Sequence, residues 1–510
     1  MNKKWGLSVV MTTLALGALT VAKAQTVACA SVGTLAGDKC TLNGANIAGV
    51  NINSLTDNAV DSIVVTESGA GVRIQAAPLD ITITDAIHLE LITSTLGATG
   101  LDLQGGDDTL TNNESGTGRE LTISGNMTGG DGNDTADVVG INVNGDVFGN
   151  AGDDTLTFTQ SMGPPVRRSV VTGNIDGGDD NDTLSVSFTD VTGDLIGGLG
   201  DDSLTVSGDA TVVGLIDGGD GNDAMTVGDS ASVDDINAGA GDDTVLVNST
   251  FSGPLTTHVA LNAPIDGGDG VDTFTFENWE GTPPDLLNWE TLNLTASIVT
   301  LGLTTAVTDL VDIDPDSILE IGTTLGMTTA LLTNAGELRL FDQAVVTVSN
   351  ELANSNRVTL VDGATDDTPT VTGNFNNTGT VALDINTADH SADLLTITGD
   401  NTAQLTLALS NLDPANSDNT NIPLVTVNGA PGTAVLEGGG TTLTAGGVTY
   451  ELQLLTDTWT LVPLAGGAGG AVSIPSTGLT SLVLALSGLA GIAFTVMRRE
   501  SKRREITTHA

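Results

Sequence analysis

Short runs in which polar and apolar residues alternate recur along the chain, each just after a glycine–aspartate turn. The clearest are Thr155-Leu156-Thr157-Phe158, Thr183-Leu184-Ser185-Val186, Ser203-Leu204-Thr205-Val206 and Thr273-Phe274-Thr275-Phe276. A period of two puts Leu156, Leu184, Leu204 and Phe274 on one face of their strands, where successive strands can stack them inside. A second apolar stretch precedes each turn, as in Val191 to Ile196 and Val212 to Ile216. One coil therefore reads as strand, glycine turn, strand and a looser return. Parallel stacking of such coils predicts an all-β fold, a right-handed parallel β-helix or β-roll solenoid, in which each coil packs only on its neighbours.

The turns are themselves periodic. Gly129-Gly130-Asp131-Gly132-Asn133-Asp134 is followed by variants ending at Asp154, Asp182, Asp202, Asp223, Asp243 and Asp272, and a degenerate copy ending at Asp108 opens the series. The last Asp recurs after 26, 20, 28, 20, 21, 20 and 29 residues. A floor of about twenty with occasional insertions is the spacing of a solenoid coil with loop excursions. The insertions, of six to nine residues, are expected to break the stacking between some pairs.

Glycine permits positive φ and turns carbonyl groups inward, so the sixth-position carboxylate stands beside backbone oxygens. Hard oxygen donors on stacked loops suit Ca²⁺. The motif resembles the RTX calcium-binding nonapeptide, which implies Ca²⁺ as a cofactor. The resemblance gives the ligand candidates as Asp134, Asp154, Asp182, Asp201, Asp202, Asp223, Asp242, Asp243 and Asp272. RTX loops repeat in tandem, whereas this chain has one motif per twenty or more residues, so at most one side of the roll is lined. The alternative is a plain tight turn that holds no ion.

Beyond Asp272 the acidic turns stop and short Thr/Val/Leu strands continue the solenoid. Three patterns stand out: Ala392-Asp393-Leu394-Leu395-Thr396-Ile397-Thr398-Gly399, then Ile422-Pro423-Leu424-Val425, then Tyr450-Glu451-Leu452 with Trp459-Thr460-Leu461. With the Asn288-Trp289-Glu290 corner they resemble the end of an autotransporter passenger, the pertactin-like cap that seals such a solenoid. The resemblance spans about residues 80–463. It implies a closing hairpin over 450–461. The outer-membrane barrel that follows in that family has no counterpart in the 47 residues after Pro463.

Charge narrows the function classes. Of 15 basic residues, three lie in the first 24 positions and five in the last thirteen, leaving seven against 62 acids between them. Phosphate contacts need Lys and Arg, so such a surface excludes nucleic acid as a partner. Aromatics are only 3%, against 39% apolar residues, which fits a repetitive fold better than one large core or disorder.

Both ends carry address signals. A basic start, an apolar stretch and Ala22-Lys23-Ala24 form a signal peptide, residues 1–24. In an exported chain, Cys29 and Cys40 are expected to form a disulfide. Ile474-Pro475-Ser476-Thr477-Gly478 precedes an uncharged stretch, 479–497, and a basic tail. Nineteen residues at about 1.5 Å each make roughly 28 Å, enough for one transmembrane helix, with the Arg/Lys tail cytoplasmic. This layout is similar to LPxTG, IPTL and PEP sorting tails, which implies processing by a sortase- or exosortase-like enzyme. The chain thus divides into a signal peptide (1–24), an acidic repeat solenoid (25–290), a β-helix continuation with a pertactin-like cap (291–463), a Gly/Ala linker (464–473) and a sorting or anchor segment (474–510).

Catalysis would need a nucleophile with its base, or paired carboxylates with a partner. The four histidines are scattered, and the acids repeat with the turns. The expectation is a non-enzymatic cell-surface protein, exported and membrane-anchored at the envelope. Its role would be adhesion or matrix contact; a structural layer component or a β-helix polysaccharide-degrading enzyme is the alternative.

Overall fold

The computed structural model describes residues 101–464, except 104, 113–120, 163–165, 250–258, 303–304, 323–325, 416 and 418–419, together with the backbone of the strands between residues 25 and 100. The signal peptide, Cys29, the side chain of Cys40, the linker, the sorting pentapeptide and the stretch 479–497 lie outside the described residues. The expected transmembrane helix falls there too. Among the described residues there is no helix, and so none long and apolar enough to cross a membrane.

The chain is a parallel β-solenoid. One sheet of 22 strands accompanies it from Gln25–Val27 to the closing hairpin. A second sheet, of 19 strands, faces it as far as Leu286–Leu287. A third, of nine, takes over from Glu280–Gly281. In the repeat region one coil contributes three strands, for example Thr183–Ser187 to the first sheet and Thr189–Val191 and Leu195–Leu199 to the second. The last of these carries the first three residues of the turn motif. The glycine turn expected from the sequence is therefore shorter than the motif: its first half continues the strand and only its second half bends.

Alternation and burial agree. The strand Thr183–Ser187 has Leu184 and Val186 at 0% exposure between polar neighbours that face solvent. Leu156, Leu184, Leu204, Met225, Val245 and Phe274 stand over one another in register. Burying each such side chain contributes about 1.5–3 kcal/mol. The insertions do not break this stacking: the pairs 154/182 and 243/272, spaced 28 and 29 residues apart, keep the same register as pairs 20 apart. The extra length falls, in sequence, between a first-sheet strand and the second-sheet strand that follows it, and the register of the first sheet is kept across it. One excursion, next to Gly163-Pro164-Pro165, is fastened by Arg168, which donates to both oxygens of Asp190 (3.1 and 2.6 Å) and to the Asp209 carbonyl (2.6 Å).

The exchange of sheets near residue 280 is built on aromatics. Phe274 and Phe276 pack edge-on, Phe274 meets Trp289 at 5.1 Å and Phe276 stacks on Trp279 at 4.4 Å. Both indoles are buried and donate to backbone carbonyls, Trp279 to Val259 and Trp289 to Ile265. At the far end the parallel ladder stops. Thr458–Pro463 runs antiparallel to both Ile422–Val427 and Val448–Leu455, closing the edge of the first sheet. Tyr450 and Leu461, two residues of the expected hairpin, are fully buried there.

Because each coil rests only on its neighbours, Leu204→Ala is expected to cost about 2–5 kcal/mol, and locally. Amide exchange should rise first in the strands of Leu184 and Met225, between which Leu204 lies. Uniform loosening of the rod would contradict that expectation.

Candidate functional site: the aspartate columns

The six residues of the motif occupy fixed places in every coil. At the second position the backbone needs positive φ: Gly219 has φ +110°, and a Cβ there would lie 1.9 Å from the Gly198 carbonyl oxygen. Asn150, at φ +87°, is the one non-glycine at this position of the seven full motifs. The bend that follows turns the sixth residue inward. Asp134, Asp154, Asp182, Asp202, Asp223, Asp243 and Asp272 are all at most 2% exposed.

These aspartates form a ladder. The Oδ1 of each accepts the backbone N–H of the sixth-position Asp one coil earlier, in seven bonds of 2.7–2.9 Å running from the Asp108 N–H to Asp272. Glu290 Oε2 accepts the Asp272 N–H at 2.8 Å and ends the series. Hydrogen bonds to a carboxylate contribute about 1.5–3 kcal/mol each, so the ladder rivals the hydrophobic stack beside it. The second oxygen has no such partner: Oδ2 of these seven aspartates is buried without a hydrogen bond. It occupies the space in front of the first glycine. A Cβ on Gly197 would lie 2.5 Å from Asp202 Oδ2 and 2.4 Å from the Gly218 carbonyl oxygen.

Two acceptors thus crowd one buried space with no donor between them. Burial raises the acids, Asp154 and Asp243 to about 7, Asp182 to about 8, and Asp134, Asp202 and Asp223 to about 6. The backbone N–H lowers each and neighbouring acids raise it again, without undoing the cost of desolvation.

Asp201 and Asp242, grouped by the sequence with the sixth-position acids, belong to a different column. They occupy the fifth position, are exposed, and accept N–H groups from the coil after rather than the coil before. Seven bonds of 2.7–3.1 Å link Asp107, Asn133, Asp153, Asn181, Asp201, Asn222, Asp242 and Val271 in this opposite sense. Asp and Asn alternate strictly up to Asp242. The third position alternates in antiphase, with Asp131, Asp179, Asp220 and Asp269 separated by Ala151, Leu199 and Ala240. A shorter ladder at another bend, Asn126, Asp146, Asn174 and Asp194, repeats the device. This two-coil period is legible in the string of ND and DD endings, but single-coil spacing hides it.

As a calcium site the buried column offers orphaned carboxylate oxygens and a glycine cradle that a Cβ would fill. Both features suit a hard cation. Among the described residues no three acids, histidines or cysteines converge as a metal cluster. An ion there would draw on Oδ2 of the sixth-position aspartates and on glycine carbonyls for most of its six to eight ligands.

Two buried features beyond the repeats escaped the sequence reading. Asn334, Asn354 and Asn377 form a second ladder, in which the Nδ2 of each of the first two donates to the Oδ1 of the next (2.7 and 2.6 Å). Asp367, Asp384 and Asp393 gather in the last third of the rod, and only Asp393 lies in a pattern the sequence singled out. His390, beside it in sequence, sits at a turn with φ +66°.

Asp202→Ala removes an acceptor from the buried Asp182 N–H and is expected to destabilise the rod by about 1–3 kcal/mol. Asp202→Asn keeps the Oδ1 acceptor and adds a donor toward the Gly218 carbonyl, so denaturant titration without divalent ions should show no loss. Equal losses for the two variants would show that the ladder bond is not what Asp202 supplies.

Residues 350–463 match the family model described as Pertactin. Among solved structures, the chain is similar to the Hap adhesin of Haemophilus influenzae, at 13% identity and a TM-score of 0.29. That likeness covers 81% of this chain and 61% of that one, so the chain spans about three fifths of the structure it resembles. No curated protein matches it in sequence. The match falls on the closing coils and the antiparallel hairpin that ends them, and the last third of the rod, residues 350–463, is pertactin-like.

Proposed function

We propose that this chain is a surface-exposed, adhesin-type rod of the bacterial cell envelope, exported by its signal peptide, stiffened by calcium along the aspartate column and held or sorted by its C-terminal segment. The observation that carries this reading is the unbroken parallel ladder ending in a pertactin-like cap. The fold spends its length on repetition, and each buried repeat acid serves the backbone of the coil before it. The likeness to a protein titled an adhesin is in keeping with a contact role. The exposed carboxylates of the third and fifth positions give the rod an acidic, cation-attracting flank.

Calcium is tested apart from display. If the ion binds the folded column, the purified chain at a hundredfold excess of Ca²⁺ over its dissociation constant gains about 2.7 kcal/mol over the chelated protein. An Asp202→Ala, Asp223→Ala variant should lose most of that gain. A melting temperature unmoved by Ca²⁺ or chelator would remove calcium from the proposal and leave the surface role standing.

Display is tested on intact cells by protease accessibility of the repeat region, with mass spectrometry of the mature C-terminus. The expected result is cleavage of the repeats from outside and a chain ending before Leu479. Full protection would overturn the surface assignment. A retained tail through Ala510 would replace sorting by a simple membrane anchor.

A further inference from the structure

Near the closing end, three carboxyl groups share one buried space. Asp384 belongs to the strand Thr380–Asn386, Asp393 precedes the strand Leu395–Ile397, and Asp367 sits in the segment 361–369 that crosses over them. All three are at most 1% exposed. Asp393 joins the other two: its Oδ2 accepts the Asp384 N–H at 2.6 Å and its Oδ1 the Asp367 N–H at 3.4 Å. Asp384 Oδ2 accepts the N–H groups of Asp362 (3.0 Å) and Gly363 (2.7 Å), and Asp367 Oδ1 accepts that of Asp342. Two buried oxygens remain without a hydrogen bond, Asp367 Oδ2 and Asp384 Oδ1.

We infer that Asp367, Asp384 and Asp393 form a proton-holding latch, which fastens the segment 361–367 over the last third of the rod and releases it as the protons leave. Three anions cannot share a dry space without a counter-charge. The charges that bear on them from the surrounding elements are acids again: Asp362 and Asp366 of the crossing segment, and Asp342 from the coil before. Ser410, on the neighbouring strand, acts on Asp384 through its hydroxyl. Arg357, on the strand at the other side, is turned to Glu337. His390 acts on the exposed Asp389, which is held below its usual range first by Ser391. Among the described residues no cationic partner thus reaches the trio, and protons on the two unpartnered oxygens are the neutralisation that the geometry allows.

The titration has the matching sense. Burial raises Asp393 to about 8 and Asp367 to about 6, and it raises Asp384 as well. Raised folded-state values mean that the latch is fully made below the ordinary Asp range, near pH 4, and is lost as pH climbs through about 6 to 8. Within that window, opening that frees one proton becomes about tenfold more favourable per pH unit.

The test is amide exchange of the full chain at about pH 5 and about pH 7, corrected for intrinsic rates, read over residues 360–369 and 380–386. Opening of these segments is expected to rise about a hundredfold across the two units. In Asp384→Asn, which cannot hold a proton on its unpartnered oxygen, the rise should shrink by up to about a hundredfold, one proton's share over two pH units. Should that variant fail to fold, Asp367→Asn is read in the same way. Asp202→Asn, in a distant coil, should leave the response unchanged. Protection that ignores pH, or a response removed by Asp202→Asn, would overturn the inference. So would Ca²⁺ restoring protection at the higher pH, since a cation would then be the counter-charge.

Discussion

Like-over-like stacking governs this molecule. In a parallel solenoid each residue lies about 4.8 Å from its equivalents in the coils above and below, so whatever one coil places at a position is multiplied along the rod. For leucine and phenylalanine the multiplication is favourable, and the continuous stack from Leu156 to Phe274 follows from it. For aspartate it is costly, because equal charges meet at near-contact spacing. The two aspartate columns are two answers to the same constraint.

The inner column answers with desolvation and backbone donors. Each carboxylate gains an N–H from the previous coil, its neighbours push its proton affinity upward, and its second oxygen is left facing a backbone carbonyl. Neutralisation by a proton or a cation is then part of the stability of the coil. The outer column answers with composition. Alternating Asn and Asp keeps every coil supplied with an Oδ1 acceptor while placing carboxylates two coils, about 9.6 Å, apart, beyond the screening length of about 8 Å at physiological ionic strength. The antiphase alternation at the third position spreads the remaining exposed acids in the same way. A chain with formal charge −49 remains a tight stack because few of its acids stand directly over another exposed one.

The hydrophobic half of the architecture was legible because its signal is local: period-two alternation fixes which face Leu184 or Leu204 takes, whatever the coil above contains. The closing hairpin was legible because Tyr450 and Trp459 mark it. What a single coil cannot show is which donors arrive from its neighbours. Asp201 and Asp202 are adjacent in sequence, yet one serves the coil after and the other the coil before. The insertions misled for a related reason: length added between one first-sheet strand and the next second-sheet strand leaves the first sheet's register unchanged. The trio around Asp393 was invisible because its members are spread over 27 residues of chain with no shared pattern.

Beyond the aromatic junction one stacked position inside the rod is filled by asparagine in place of aspartate. Asn334 and Asn354 donate from one amide to the next, so Asn354 accepts at one end and donates at the other, and only Asn334 at the head of the ladder keeps a buried Oδ1 without a hydrogen bond. Asparagine would serve the first half equally well if internal hydrogen bonding were all that the column had to provide. Seven buried aspartates in its place keep a proton or cation requirement that asparagine would abolish. The boundary between the aspartate column and the asparagine ladder falls at Trp279 and Trp289, where one sheet gives way to another.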